Sequence, residues 1–132
     1  MVFPLHPRTK INLMNFNLFK KLDSVSNLEL INPLGYFDFQ KLIKNAKLVI
    51  TDSGGIQEET TFRKVPCLTI RNNTERPITI EQGTNTLLPF DLNAIQICIE
   101  EVLQGKYKKG VIPKYWDGKS TERIFSIIDN LI

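Results

Sequence analysis

Residues 48–59 have the sequence LVITDSGGIQEE, in which an apolar run gives way to two glycines and then to a helical pattern. Gly54 and Gly55 have no Cβ, so an anion can approach the backbone closely. The free N–H groups of a helix's first turn point at such an anion, with the positive end of the helix dipole behind them. Ser53 adds a hydroxyl donor. The stretch therefore predicts a strand, a turn and a helix, with a candidate anion site at the turn.

The same residues are also compatible with a purely structural turn. Ser-Gly-Gly before a helix is a common tight turn, and it is not a Walker P-loop because no Lys-Ser/Thr pair follows. Asp52 resembles a catalytic carboxylate, but one carboxylate beside a helix start is more often a cap. Glu58 and Glu59 fall where negative charge is favoured in any helix. One of them is also well placed to accept the two hydroxyls of a ribose.

Outward from this stretch, short apolar runs alternate with helical patterns, which predicts an α/β fold with a parallel sheet and flanking helices. The predicted strands are residues 1–5, 28–32, 47–51, 66–71 and 85–88. The predicted helices are residues 10–22, 36–45, 55–63, 91–104 and 119–131. We expect Asp91 to cap the fourth helix and Gly105 to end it. Residues 105–118 are expected to form a loop before the last helix.

The composition restricts the classes of function. A chain of 132 residues with 42% hydrophobic and 23% charged residues predicts one globular domain, residues 1–132. A net charge of +3 without a dense basic face argues against a nucleic-acid partner. The apolar runs are shorter than the roughly 18 to 20 residues of a membrane helix, so we expect no membrane partner. The first residues lack the pattern of a signal peptide, so we expect a cytoplasmic protein. Cys67 and Cys98 are expected to be buried thiols, and with the single His they make no metal site.

A second polar cluster, residues 71–77 (RNNTERP), leaves a predicted strand and enters a turn. Ligands of open parallel sheets bind beyond the carboxyl ends of the strands, where this cluster and Ser53 both fall. Arg71 and Arg76 suggest a clamp on a pyrophosphate. The alternative is that these arginines pair with Glu75 or cap carbonyl groups.

Residues 51–59 (TDSGGIQEE), with residues 74–77 (TERP) and 83–85 (GTN), closely resemble the non-hydrolysing UDP-N-acetylglucosamine 2-epimerases. His6 to Thr9 and Asp117-Gly118 support the resemblance, which spans nearly the whole chain but only part of the family's length. It implies the C-terminal domain portion of a two-domain enzyme resembling glycosyltransferases of the B type. Two Rossmann-like domains of such an enzyme face each other across a cleft that holds UDP-N-acetylglucosamine.

The resemblance also implies which residues bind the diphosphate and the ribose. Ser53, Gly54 and Gly55 would hold the diphosphate. Glu59 would hold the ribose, and Arg76 would contact the phosphates or the sugar. These roles agree with those that the residues themselves suggest.

Three further residues acquire roles only through the resemblance. Phe39 would stack on uracil, and Leu34 would contact the base through its backbone. His6 would lie close to the nucleotide. Without the resemblance, Phe39 is expected to be a core aromatic residue and a lone His to be structural.

The implied activity interconverts UDP-N-acetylglucosamine and UDP-N-acetylmannosamine, by proton removal at C2 and loss and re-addition of UDP. The carboxylates for these proton transfers belong to the family's first domain, so this chain is expected to be the UDP-binding half. No cofactor is implied. We expect a separate polypeptide with the N-terminal half, or a homo-oligomer, to be its partner. The alternatives are an inactive remnant that binds a UDP-sugar, and a portion of an epimerase for a related UDP-acetamido sugar.

The resemblance implies that the first strand of this domain is missing, between residues 1–5 and 47–51. The chain must then pair these two strands directly, leave a gap, or borrow a strand from another polypeptide, and we expect the last. The helix of residues 119–131 would pack on the missing domain through Ile124 and Ile128.

Overall fold

Parallel strands alternate with helices throughout a computed structural model that describes residues 1–131, and Ile132 of the predicted domain lies outside the described residues. The strands are β1 (Val2–Pro4), β2 (Glu29–Ile31), β3 (Val49–Thr51), β4 (Cys67–Ile70) and β5 (Asn85–Leu88). The helices are α1 (Pro7–Asn15), α2 (Phe19–Asp23), α3 (Tyr36–Lys44), α4 (Gly54–Arg63), α5 (Pro77–Glu81), α6 (Leu92–Leu103) and α7 (Ser120–Asp129). The α/β class and all five predicted strands are confirmed.

The chain divides into two compact units, residues 1–41 and residues 42–131. In the first unit β1 and β2 pair in parallel, with Val2 opposite Glu29. The Leu5 N–H donates to the Ile31 carbonyl at 2.9 Å, which extends the ladder, and Leu5 is buried. A short parallel pair therefore anchors this unit.

The predicted helix of residues 10–22 is wrong in its extent, because the structure forms two helices there. His6 caps α1 by accepting the Arg8 N–H on Nδ1 at 3.2 Å, so the helix begins before residue 10. Asn17 has a φ of 56°, the left-handed region that asparagine tolerates better than most residues. This conformation interrupts the helix between α1 and α2.

The second unit contains a three-stranded parallel sheet in the order β3-β4-β5. Val49 lies opposite Cys67, and Cys67 lies opposite Asn85. The central strand β4 is the most buried, with Cys67, Leu68 and Thr69 inaccessible to solvent. The ladders β1-β2 and β3-β4-β5 are separate in residues 1–131, so the direct pairing of β1 with β3 is not formed.

The helix boundaries in the second unit follow local signals. Asp91 caps α6 as predicted, since its Oδ1 accepts the N–H groups of Asn93 and Ala94 at 2.9 and 3.2 Å. Gly105 follows that helix with a φ of 69°, as expected of a helix stop. The turn predicted at residues 71–77 leads into α5, a short helix that we did not predict, with Pro77 at its first position.

The loop at residues 105–118 attaches firmly to the sheet. The Tyr107 hydroxyl lies 3.0 Å from the carbonyl oxygens of Cys67 and Thr84. The Lys108 ammonium donates to the Ile80 carbonyl at 2.8 Å and to the Asn85 carbonyl. These bonds hold the loop along β4 and β5.

Several helix faces expose apolar side chains. On α7, Ile124 and Ile128 are 57% and 51% exposed, and the packing of this helix on another domain stays a prediction. No helix within residues 1–131 is long and apolar enough to cross a membrane. Cys67 is buried as expected, whereas Cys98 is half-buried.

Candidate functional site

The turn between β3 and α4 forms the centre of the candidate site. Ser53 is the residue at the N-cap of α4, with an extended backbone (φ −85°, ψ 131°), and its hydroxyl makes no capping bond. Its N–H donates to Thr51 Oγ1 at 3.0 Å. A Cβ added to Gly55 would meet nothing within 4 Å, so the space beside the first turn is open. The cap is therefore Ser53 rather than Asp52, and the Ser53 hydroxyl is available to a ligand.

The loop after β4 lies directly against the start of this helix. A Cβ on Gly54 would stand 2.7 Å from Glu75 Oε1 and 4.0 Å from the Arg71 guanidinium. Arg71 and Glu75 form an ion pair at 3.2 Å, which is the alternative considered for this cluster. The Glu75 backbone N–H and the Arg71 guanidinium lower the pKa of the Glu75 carboxyl. A carboxylate thus occupies the space beside Gly54.

Arg76 reaches the same helix from the N-cap of α5. Its Nε lies 3.3 Å from Glu58 Oε1, and the two side chains are 43% and 41% exposed. Exposed pairs of this kind contribute little to stability, so the guanidinium can exchange its partner at small cost. The structure therefore places the Arg76 side chain against the helix whose N-cap is Ser53 and whose first turn carries Gly54 and Gly55.

A buried side chain that sequence reasoning missed connects these parts. Gln57, on α4, is inaccessible to solvent. Its Oε1 accepts from Thr74 Oγ1 at 2.7 Å and from Asn85 Nδ2 at 3.0 Å. Residues 57, 74 and 85 each lie in one of the three strings that carry the family resemblance, TDSGGIQEE, TERP and GTN. That shared membership is the sequence signal from which their association could have been predicted.

The other predicted site residues are distributed over both units. Glu59 lies in the second turn of α4 and is half-buried. Phe39 is half-buried in the first turn of α3, where its N–H donates to the Gly35 carbonyl at 2.9 Å. Leu34 is 38% exposed. Phe39, Leu34 and the helix cap His6 belong to the first unit, and their roles at a nucleotide stay predictions.

Comparison with known proteins identifies the family. The family model described as UDP-N-acetylglucosamine 2-epimerase matches residues 1–129. The chain belongs to this family. A UDP-N-acetylglucosamine 2-epimerase from Methanocaldococcus jannaschii is 46% identical over 128 residues, covering 97% of this chain and 34% of the relative. One from Methanococcus maripaludis is 41% identical over 133 residues, covering 97% of this chain and 34% of that relative.

Solved structures of the family have the same fold. The M. jannaschii enzyme in complex with UDP-GlcNAc and UDP has a TM-score of 0.81 at 45% identity, over 98% of this chain and 35% of its own. The Neisseria meningitidis enzyme bound to UDP-GlcNAc has a TM-score of 0.77 at 28% identity, covering 98% of this chain and 35% of its own. The α/β, Rossmann-like fold is confirmed. The chain spans about a third of the length of the relatives that it matches.

Proposed function

We propose that this chain is the UDP-binding half of a UDP-N-acetylglucosamine 2-epimerase. The observation that carries the proposal is the start of α4, which is open beside Gly55, with an uncommitted Ser53 hydroxyl and with the exposed Arg76 guanidinium against the same helix at Glu58. Ten residues of helix lie behind this turn, so the dipole and the free N–H groups favour a diphosphate there. The bound UDP-GlcNAc and UDP of the M. jannaschii relative support the same ligand.

Each binding residue has a chemically suitable role in the proposal. Ser53, Gly54 and Gly55 donate hydrogen bonds to the diphosphate, and Arg76 leaves Glu58 to pair with it. The guanidinium fork suits phosphate oxygens, and its bonds to them are charge-assisted. Glu59 accepts the ribose hydroxyls.

The base would be bound by residues of the first unit. Phe39 stacks on uracil, and the backbone of Leu34 contacts it. His6 is assigned near the nucleotide, although its Nδ1 accepts from the Arg8 N–H and thereby also serves α1.

In this proposal the chain binds and orients the nucleotide, while carboxylates from the family's N-terminal domain move protons at C2 of the sugar. A separate polypeptide or a second copy of the chain would be the partner. That residues 1–132 of this chain form one domain, and that the protein is cytoplasmic, stay predictions.

Calorimetric titration of the chain with UDP, UMP, uridine and ADP tests the proposal. We expect selective binding of UDP, with affinity falling as phosphates are removed. Weak binding of all four ligands by folded protein would overturn the half-site. Binding of UDP without epimerase activity, even with an N-terminal half added, would favour the inactive remnant. Turnover of a different UDP-acetamido sugar would favour the third alternative.

Two substitutions and a matched control examine the phosphate assignment. Arg76→Ala and Ser53→Ala should each weaken UDP binding by about 1.5 to 3 kcal/mol, or roughly tenfold to a hundredfold. Arg123→Ala is the control, because Arg123 also forms an ion pair with an exposed carboxylate, that of Asp117. It should leave UDP affinity unchanged. If Arg76→Ala and Ser53→Ala bind UDP as tightly as the control and the unmodified chain do, the phosphate assignment is wrong.

The ribose assignment has its own test. Glu59→Gln should reduce the preference for UDP over deoxy-UDP, because a carboxylate accepts hydroxyl donors more strongly than an amide. Calorimetry with both nucleotides measures the ratio. An unaltered ratio would count against Glu59 as the ribose ligand.

A further inference from the structure

The side chains of Gln57 and Asn85 form the centre of a buried polar network beside the proposed diphosphate site. Both are inaccessible to solvent, and Asn85 Nδ2 donates to Gln57 Oε1 at 3.0 Å. Asn85 Oδ1 accepts from the hydroxyl of Thr69 at 2.6 Å. Rotation of either amide would leave buried polar groups without partners, which costs about 1 to 3 kcal/mol each. The network therefore fixes the orientation of both amides.

Two threonines connect this amide pair to the backbone of Arg76. Thr74 Oγ1 donates to Gln57 Oε1 at 2.7 Å and accepts the Arg76 N–H at 3.0 Å. Thr79 Oγ1 accepts from Asn85 Nδ2 at 3.1 Å and donates to the Arg76 carbonyl at 2.7 Å. Both backbone polar groups of Arg76 are thus held by hydroxyls that the amide pair orients.

The same network reaches the start of α4. Gln57 Nε2 donates to the Ser53 carbonyl at 3.4 Å, and Gln57 lies one turn into the helix whose first turn carries Gly54 and Gly55. One buried side chain therefore contacts both halves of the site, the helix start and, through Thr74, the Arg76 loop.

We propose that Gln57 and Asn85 are positioning residues, which hold the Arg76 backbone and the Ser53 turn at the fixed separation that a diphosphate requires. The proposal rests on the proposed function above. Neither amide contacts the ligand. A guanidinium that is already in place loses less conformational entropy on binding, so the network increases affinity by preorganisation.

The direct variant is Gln57→Met, which keeps a similar length and removes the amide. Because Gln57 is fully buried, this variant can also lower the stability of the fold, so a change at the half-buried Thr74 is the more robust test. Thr74→Val removes the bridging hydroxyl, and Thr74→Ser retains it. Thr74→Val removes both hydrogen bonds of this hydroxyl, and we expect UDP affinity to fall about threefold to tenfold as Arg76 is positioned less well. In Thr74→Ser the affinity should stay within about twofold.

A double-mutant cycle separates positioning from a general effect on the fold. If Thr74 acts through Arg76, Thr74→Val should cause no further loss of UDP affinity in the Arg76→Ala background. Equal losses in both backgrounds would overturn the inference while leaving the proposed function intact. No loss from Arg76→Ala alone would overturn the inference, whereas no UDP binding by the unmodified chain would overturn the proposed function and the inference with it.

Amide hydrogen exchange provides a readout without ligand. The Arg76 N–H should be protected in the unmodified chain, exchange faster in Thr74→Val and regain protection in Thr74→Ser. Unchanged exchange of this amide in folded Thr74→Val would overturn the network's role.

Discussion

The two units of the chain bury different kinds of residues. In residues 1–41 the buried side chains are Leu5 and Gln40, and neither α1 nor α2 contains a buried residue. In residues 42–131 the first three residues of the central strand are fully buried, together with Gln57 and Asn85. The first unit is specified mainly by caps, turns and one short ladder. The second is specified by interior contacts that permit few alternatives.

Polar groups supply much of the second unit's interior. The buried polar residues there are Gln57, Thr60, Thr61, Thr69, Thr79, Thr84 and Asn85. Within residues 1–131 the Thr61 hydroxyl has no hydrogen-bond partner. The other buried hydroxyls and amides of this set must keep their partners, so they specify geometry more strictly than apolar side chains do. Rigidity of this kind suits the unit that carries the proposed diphosphate site, since a binding group held in place loses less entropy.

The largest expected effect comes from glycines at which two backbone segments meet in the second unit. A Cβ on Gly110 would lie 2.3 Å from the Gly83 carbonyl carbon, and one on Gly83 would lie 2.5 Å from the Thr79 carbonyl oxygen. Backbone cannot move aside as a flexible side chain can. Gly110→Ala should therefore lower the free energy of unfolding by about 1 to 3 kcal/mol or more, measured by thermal unfolding.

Gly35 in the first unit provides the matched control. A Cβ there would meet nothing within 4 Å, so Gly35→Ala should change the free energy of unfolding by no more than about 0.5 kcal/mol. Gly55→Ala, also in open space, is the control within the second unit. If Gly110→Ala unfolds at the same temperature as these two, the contrast between the units is wrong.

Local signals explain why much of the fold could be predicted from the sequence. Apolar runs bounded by turn residues predicted all five strands, and Asp91 and Gly105 marked the ends of α6 correctly. Ser53, Gly54 and Gly55 were predicted at a strand-to-helix turn because their chemistry is local. The break at Asn17 was missed, since asparagine adopts the left-handed conformation only at some of its positions.

The parts that escaped prediction depend on contacts between distant residues. Gln57 and Asn85 are 28 positions apart, and no periodicity in the sequence brings their amides together. Tyr107 lies in a segment that was predicted only as a loop, yet its hydroxyl lies 3.0 Å from the carbonyl oxygens of Cys67 in β4 and of Thr84 just before β5. The same limit applied to Arg76, whose partner Glu58 became evident only in the structure, whereas Glu75, the local partner of Arg71, was one of the alternatives that the sequence offered.

A smaller effect is expected at Tyr107. Burial raises the pKa of its hydroxyl to about 12. Because this folded-state pKa lies above the ordinary value of about 10, the stabilisation is complete below pH 10 and is lost as the pH rises toward 12. Absorbance titration should show a tyrosine that ionises near pH 12 and is absent in Tyr107→Phe.

Tyr107→Phe should also lower the free energy of unfolding at neutral pH by about 0.5 to 1.5 kcal/mol, because the hydroxyl proton shared by the carbonyls of Cys67 and Thr84 is lost. Tyr36→Phe is the control in the first unit, where Tyr36 is 64% exposed and packs edge-to-face on Phe37. Equal losses in the free energy of unfolding in the two variants would show that the hydrogen bonds of the Tyr107 hydroxyl do not stabilise the fold.

The smallest effect is expected at the start of α7, which, like α1 and α2 of the first unit, contains no buried residue. The Arg123 guanidinium, with the Lys119 N–H, lowers the pKa of Asp117 to about 2. The ion pair therefore contributes stability above pH 4, and this contribution is lost as the pH falls toward 2.

Carboxyl-carbon NMR titration of Asp117 should give a midpoint near 2 that rises toward the ordinary value of about 3.9 in Arg123→Gln. Lys114→Gln should leave the midpoint in place, because Lys114 lies over the Tyr115 ring. A midpoint that stays low in Arg123→Gln would assign the shift to the Lys119 N–H, and the start of α7 would then be held by a side chain that accepts the N–H two residues on, as α1 is at His6.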